Sequence, residues 1–296
     1  METVHVIINV FTAAAFFIAG CILIKKKRAR YWLIGAAGGV AVLGYLLPSR
    51  PHFFTSLFPF ADAIFYTNWY PFALALFIPA AFRFGKSRFQ KIRIGILLAV
   101  FFVVTLIPYR YFRLPAAETM RATAIDEDGI CRQTSLDTCG AAAIVTLLRL
   151  NGIETTEARA ADLALTKQDR GTWILGQFRA LKILTREHNP ALKVCVRKLT
   201  ADRLLSLPHP AIITVGLRGK PKTPDEKLLA ERYSWTPSVM HDVVFLGIDE
   251  TNPEKVKIGE PDFGLERWWI RELRILHQGY AIYLEQERKK YADYQG

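Results

Sequence analysis

Gln133, Cys139, His241 and Glu260 are the residues of this 296-residue chain whose types and spacing could do covalent chemistry. Cys139 opens CGAAAIVTLLRLN, an apolar, alanine-rich run stopped by Gly152, and this pattern predicts a helix over Cys139–Asn151. A helix N-terminus presents unpaired N–H groups and the positive end of the peptide dipole, and both favour the nucleophilic thiolate. Asp137 or Thr138 stands where a cap belongs, and the small residues Gly140–Ala143 would let a substrate or another element come close. A lone cysteine is more often a small buried apolar residue. Two neighbours in the sequence shift that balance. Gln133, six residues upstream, offers an amide donor to a developing oxyanion beside the Cys139 N–H. His241 heads the apolar run DVVFLGI, and an imidazole at a strand start can face a helix N-terminus across a cleft as general base.

The elements that must position these groups change character along the chain. Glu157–Leu165 and Thr172–His188 have the pattern of helices, the second with Thr172 as its hydroxyl cap. From Lys193 the period shortens. Lys193–Lys198, Ala211–Val215, Asp242–Ile248, Lys255–Ile258 and Gly279–Leu284 are short strand-like runs separated by Pro, Gly and Asn. Lys220–Ser238 is polar and proline-bearing, and is expected to be a surface loop leading to His241. Helices followed by antiparallel strands make an α+β domain.

Residues 1–108 belong to a different solvent. Four apolar segments, 4–24, 31–48, 61–82 and 94–108, predict an all-α bundle of about four transmembrane helices, with Phe53–Phe60 as a lip at the interface. The basic run follows the first apolar segment rather than preceding it, so that segment is expected to be retained rather than cleaved. Five basic residues (Lys25, Lys26, Lys27, Arg28, Arg30) follow span one, and five more (Arg83, Lys86, Arg88, Lys91, Arg93) precede span four, against Arg50 alone between spans two and three. The positive-inside rule then sets both basic loops in the cytoplasm, and an even number of spans leaves the rest of the chain outside, with Arg110 and Arg113 as the dissenting charges. The expected layout is a membrane region to 108, a linker at 109–127, a catalytic domain at 128–286 and a charged tail at 287–296. The net charge of +12 is accounted for largely by those loops and calls for no nucleic acid.

The segments RQTSLDTCGAAAIVTLLRLNGI, GTWILGQFRALKIL, HDVVFLGID and VKIGEPDFG resemble those of the bacteriocin-leader, or double-glycine, peptidases of the papain-like cysteine peptidase superfamily. The resemblance spans roughly 128–286 and not the apolar region. It implies a papain-like domain in which Cys139 is the nucleophile, His241 the base and Gln133 the oxyanion donor. The family's Asp-Pro turn, whose Asp orients the imidazole, is Glu260-Pro261 here, so Glu260 takes that position and Asp262 is the alternative. Thr138 stands where the family carries Asp before the cysteine, and Asp242 where it carries an aromatic after the histidine. Cleavage of a peptide or protein, such as a leader cut after small residues, is the implied activity. An amidase or transpeptidase on the same triad, and a peptide-binding or assembly subunit of a membrane complex, are the alternatives.

No cofactor, nucleotide or metal is expected: no GxxxxGK[ST] occurs, and His188, His209 and His277 lack partners at ligand spacing. The expected partners are the substrate, the lipid bilayer of the cell membrane and any complex formed there. Cys21 is a packing residue of span one. Cys131 and Cys195, on the expected extracytoplasmic side, form either a disulfide or two buried thiols.

Overall fold

In the computed structural model, residues 2–23, 29–84, 87–96, 122–167, 170–232 and 235–286 are described. The chain forms two compact units, Met1–Phe58 with Asp62–Arg113, and Pro59–Ala61 with Leu114–Gly296.

The first unit is helical: α1 (Glu2–Leu23), α2 (Ala29–Leu46), α3 (Pro51–Leu57), a 3-10 turn (Ala61–Tyr66) and α4 (Tyr70–Phe84). Both α1 and α2 pack along α4, and Leu33, Ala37, Leu76 and Ala80 form the seam between α2 and α4. Among the described residues no single helix is long and apolar enough to cross a membrane; one bent pair, Tyr31–Leu46 with Pro51–Leu57, reaches that length at an angle of 114°. The expected bundle of about four transmembrane helices is therefore not supported among the described residues. Segment 61–82 is broken, because Asn68 Oδ1 takes the Tyr70 N–H at 3.3 Å and starts a new helix there. The segment expected as a lip, Phe53–Phe60, falls largely on the short helix α3, whose Pro51 stands in its first turn. Most of segment 94–108, much of the first basic loop, Arg110, Arg113, most of the linker and the tail at 287–296 lie outside the described residues.

The second unit is α+β. Its sheet has six antiparallel strands in the order β3 (Leu192–Lys198), β8 (His277–Gln286), β4 (Ala211–Val215), β5 (His241–Asp249), β6 (Asn252–Glu260), β7 (Gly264–Trp269). A ribbon of β1 (Ala124–Ile125) and β2 (Cys131–Arg132) precedes α5 (Cys139–Arg149). With α6 (Glu157–Leu163) and α7 (Ile174–His188), α5 covers one face of the sheet. Every residue of α5 from Cys139 to Leu148 is buried, so this helix is the centre of the core rather than a surface element. Val244, Ile212 and Ile282 meet it from the sheet. The opposite face packs Phe245, Ile258, Trp268 and Tyr283 under α8 (Ala201–Leu205), α9 (Pro224–Arg232) and α10 (Ile270–Leu276).

Two expectations change, and one open alternative closes. The loop at 220–238 contains α9, and its start carries a capping signature: Glu226 N–H donates to Thr223 Oγ1, Thr223 N–H donates to Glu226 Oε2, and Pro224 follows. Thr172 does not cap α7; the N-cap is Trp173, and the Thr172 hydroxyl pairs with Thr166 at 2.7 Å. Cys131 and Cys195 are free thiols, and they lie in the cores on opposite faces of the sheet, because strand residues alternate and Cys195 faces away from Val194 and Val196.

Candidate active site

The packing of α5 against β5 decides where the candidate residues meet. Cys139 is the first residue of α5 and is buried. Thr138 is the N-cap by position, yet its hydroxyl turns back, donating to Ser135 O at 2.9 Å and accepting from Ser135 N at 3.1 Å. The expected side-chain cap by Thr138 is thus absent, and the hydroxyl does not occupy the leading N–H groups of the helix. Those are the groups a developing negative charge beside Cys139 needs.

His241 opens β5 on the face that carries Val243 and Phe245. Extending the Val244–Gly259 pairing by one residue sets Glu260 across from Val243, so His241 and Glu260 are diagonal neighbours on one face. His241 Nε2 bonds Glu260 Oε1, and the Cys139 side chain is close enough to interact with the ring. The structure thereby brings Cys139, His241 and Glu260 into one chain of contacts.

Charge follows from this geometry. Burial opposes a charged His241, but hydrogen bonds to Cys139 and Glu260, and the charges of both, outweigh it and lift the imidazole to about 10. The other two cysteines of this unit are held as thiols. Burial first, then the Glu157 and Asp126 carboxylates, push Cys131 up to about 12. Burial and the bond to Glu285 push Cys195 up to about 11.

Glu260 is fixed by the turn that follows it. Its Oε2 accepts the backbone N–H groups of Asp262 and Phe263, both at 2.6 Å. Asp262 is exposed, and its own carboxyl is raised by burial of its surroundings and by the Glu260 charge. Gly264 closes the turn at φ +88°, where a methyl group would also stand 2.7 Å from Asp126 Oδ2. His241, Glu260 and Asp262 each place a ligand-type atom within 4.8 Å of the others. Both Glu260 oxygens are already taken by N–H groups, which is the environment of a hydrogen-bond acceptor rather than of a cation ligand.

Gln133 lies on the other side of the same turn: its N–H donates to Pro261 O at 2.9 Å. The next N–H, of Thr134, goes to Glu157 Oε1 at 3.0 Å, and Glu157 is fully buried at the start of α6. Two successive N–H groups thus clamp the loop that approaches Cys139. Gln133 Oε1 is buried and meets no donor among the described residues.

Several neighbours of the site escaped the sequence. Trp235 stands edge-on to His241 at 6.3 Å between ring centroids, and nothing in its polar surroundings signals this. Glu157 stands one residue after its helix's N-cap and showed only as a helix start. Gly140 is hemmed in, since a methyl group there would stand 2.7 Å from Thr172 Cβ and 2.9 Å from Asp242 Oδ2. The contact of Gly171 and Thr172 with the start of α5 was not read from the sequence.

No protein-family model matches the chain, and no curated protein sequence matches it. Among solved structures it is similar to the peptidase domain of Streptococcus ComA, a bi-functional ABC transporter involved in a quorum sensing pathway, at 22% identity and a TM-score of 0.38, over 52% of this chain and 94% of that one. It is also similar to a double glycine motif protease from an AMS/PCAT transporter in complex with the leader peptide, at 15% identity and a TM-score of 0.37, over 59% of this chain and 95% of that one. The peptidase domain of Streptococcus mutans ComA matches at 20% identity and a TM-score of 0.34, over 52% of this chain and 96% of that one. At such identities and scores the functional reading rests on the site itself.

Proposed function

We propose that this chain is a cysteine peptidase with a papain-like catalytic domain attached to a membrane by its N-terminal unit. The observation that carries the proposal is the imidazole of His241, which bonds Glu260 and interacts with the Cys139 side chain. Cys139 Sγ attacks a peptide carbonyl carbon as thiolate. Negative charge moves to the carbonyl oxygen, where the Cys139 N–H and the Gln133 amide receive it. The C–N bond then breaks, and His241 passes its proton to the departing amine, leaving a thioester on Cys139. Water attacks the thioester with His241 taking its proton, and the acid leaves as the thiolate returns. Glu260 keeps the ring oriented throughout and offsets its positive charge.

The surroundings of the site support a peptide as substrate. Leu136, Trp173, Val239, Met240 and Phe263 are exposed, Leu136 by 90% and Phe263 by 72%, and each lies within three residues of Cys139, Thr172, His241 or Glu260. Water-facing apolar side chains gathered about a reactive centre suit an apolar polypeptide segment. The resemblance to double-glycine peptidases makes peptides with small residues before the scissile bond the first to test. The charge asymmetry of the N-terminal loops supports an extracytoplasmic catalytic domain in the cell membrane.

Purified full-length protein incubated with a peptide library should yield fragments bearing new free carboxylates, and the Cys139→Ala variant should yield none. Products joined to a second amine would instead identify a transpeptidase. Equal turnover by both proteins would remove Cys139 from the chemistry.

A further inference from the structure

The site contains a carboxylate that the chemistry above leaves unused. Asp242 follows His241 in β5, and since neighbouring strand residues face opposite sides of the sheet it points towards the helix layer. Its carboxylate is buried, with the residue 6% exposed. Oδ1 accepts from Thr214 Oγ1 of β4 at 2.6 Å, and Oδ2 accepts from Gln177 Nε2 of α7 at 2.5 Å. The same Oδ2 lies against the first turn of α5, where a methyl group on Gly140 would stand 2.9 Å from it. One side chain therefore touches the strand beside the base, helix α7 and the helix that carries the nucleophile.

Burying a carboxylate is costly unless it is paired and hydrogen-bonded. An amide in its place would offer one acceptor oxygen to these two donors. Burial does push the Asp242 carboxyl up to about 6, against the opposing pull of Thr214, the His241 charge and Gln177. From β4 and α7 the groups facing it, Thr214 and Gln177, are neutral donors. The charged or titratable groups around it are His241 on its own strand, Cys139 at the start of α5, and Glu260 of β6 beyond His241. Charge interactions are mutual, so a negative Asp242 favours the imidazolium as the imidazolium favours it.

Resting on the cysteine-peptidase reading, we infer that Asp242 is a positioning residue of this site: anchored by Thr214 and Gln177 behind Gly140, it sets the approach of the Cys139 helix to His241 and supplies a second negative charge that keeps the imidazole protonated.

The test is the rate at which neutral chloroacetamide alkylates Cys139 in the full-length protein across pH 4 to 10, followed by mass spectrometry. Wild type should show a step in rate centred near pH 6, where Asp242 ionises. Asp242→Asn should lose that step and label about tenfold more slowly at pH 7, the scale of a shift of one pKa unit in the ion pair. Thr214→Val, which removes a hydrogen bond to the charged form, should move the step to higher pH, and it decides the matter if Asp242→Asn does not fold. A wild-type pH profile in Asp242→Asn, with only a lowered melting temperature, would reduce Asp242 to a structural contact and overturn the inference. So would an unmoved step in Thr214→Val. If wild-type Cys139 labels no faster at pH 7 than a free thiol, the thiolate reading itself fails, which is a different result from a reactive Cys139 indifferent to Asp242.

Discussion

Glu260 receives His241 Nε2 on one carboxylate oxygen and two backbone N–H groups on the other, so the carboxylate bonded to the imidazole is itself held by the turn beginning at Pro261. Glu260→Gln should therefore slow turnover far more than Asp262→Asn, because only Glu260 touches the ring. An amide also cannot accept both backbone N–H groups and still receive the ring as an anion. A larger loss in Asp262→Asn would transfer the orienting role to that residue.

The same contact sets a pH dependence. The folded value of His241, about 10, lies above its ordinary value of roughly 6.5, so the imidazolium persists through neutral pH. Its contribution to stability is fully present below about 6.5 and is lost as pH rises through about 10. The alkaline limb of kcat/KM should fall with a midpoint near 10 in wild type and at lower pH in Glu260→Gln. An alkaline limb at the same pH in both proteins would separate Glu260 from the ionisation of the ring.

Gln133→Ala should cost about 10²–10³ in kcat, the usual scale for one oxyanion donor, with KM little changed. Stopped-time assays at saturating substrate read this directly. A loss confined to KM would assign Gln133 to substrate binding instead.

Two glycines test the packing under the site. A methyl group at Gly176 would stand 2.0 Å from the Ala164 carbonyl oxygen, a backbone atom that cannot turn aside, whereas Gly140 meets side chains of Thr172 and Asp242. Gly176→Ala should destabilise the fold more than Gly140→Ala, each by about 1–3 kcal/mol or more for overpacking, read from denaturant unfolding curves. Gly140→Ala should also lower activity in its folded fraction, since the methyl group displaces the first turn of α5. Full activity in folded Gly140→Ala would loosen the link between that turn and the chemistry.

Membrane sidedness is tested at Lys222, which is exposed. A Lys222→Cys substitution in an otherwise cysteine-free chain should react with a membrane-impermeant maleimide in intact cells. Labelling only after permeabilisation would place the catalytic unit in the cytoplasm.

The sequence by itself determined the helix of Cys139, the order of helices before strands, and the residue types able to form a nucleophile, a base and an oxyanion donor. These are local: an apolar run ended by Gly152, a two-residue period after Lys193, an amide six residues before a thiol. Tertiary structure decided the rest. Which of the two acids beside Pro261 lies next to His241 could not be read locally; the register of β5 on β6 sets Glu260 on the face of His241 and leaves Asp262 outward. The fate of Cys131 and Cys195 depended on which faces of the sheet they occupy, and strand alternation put them on opposite ones. The helices at Pro224 and Ile270 were hidden because their composition is mixed and only their caps announce them. Asp242 was marked in the sequence as standing where the resembled family carries an aromatic, but its partners, Gln177 and Thr214, are 65 and 28 residues away, and only folding brings donors to it over such separations.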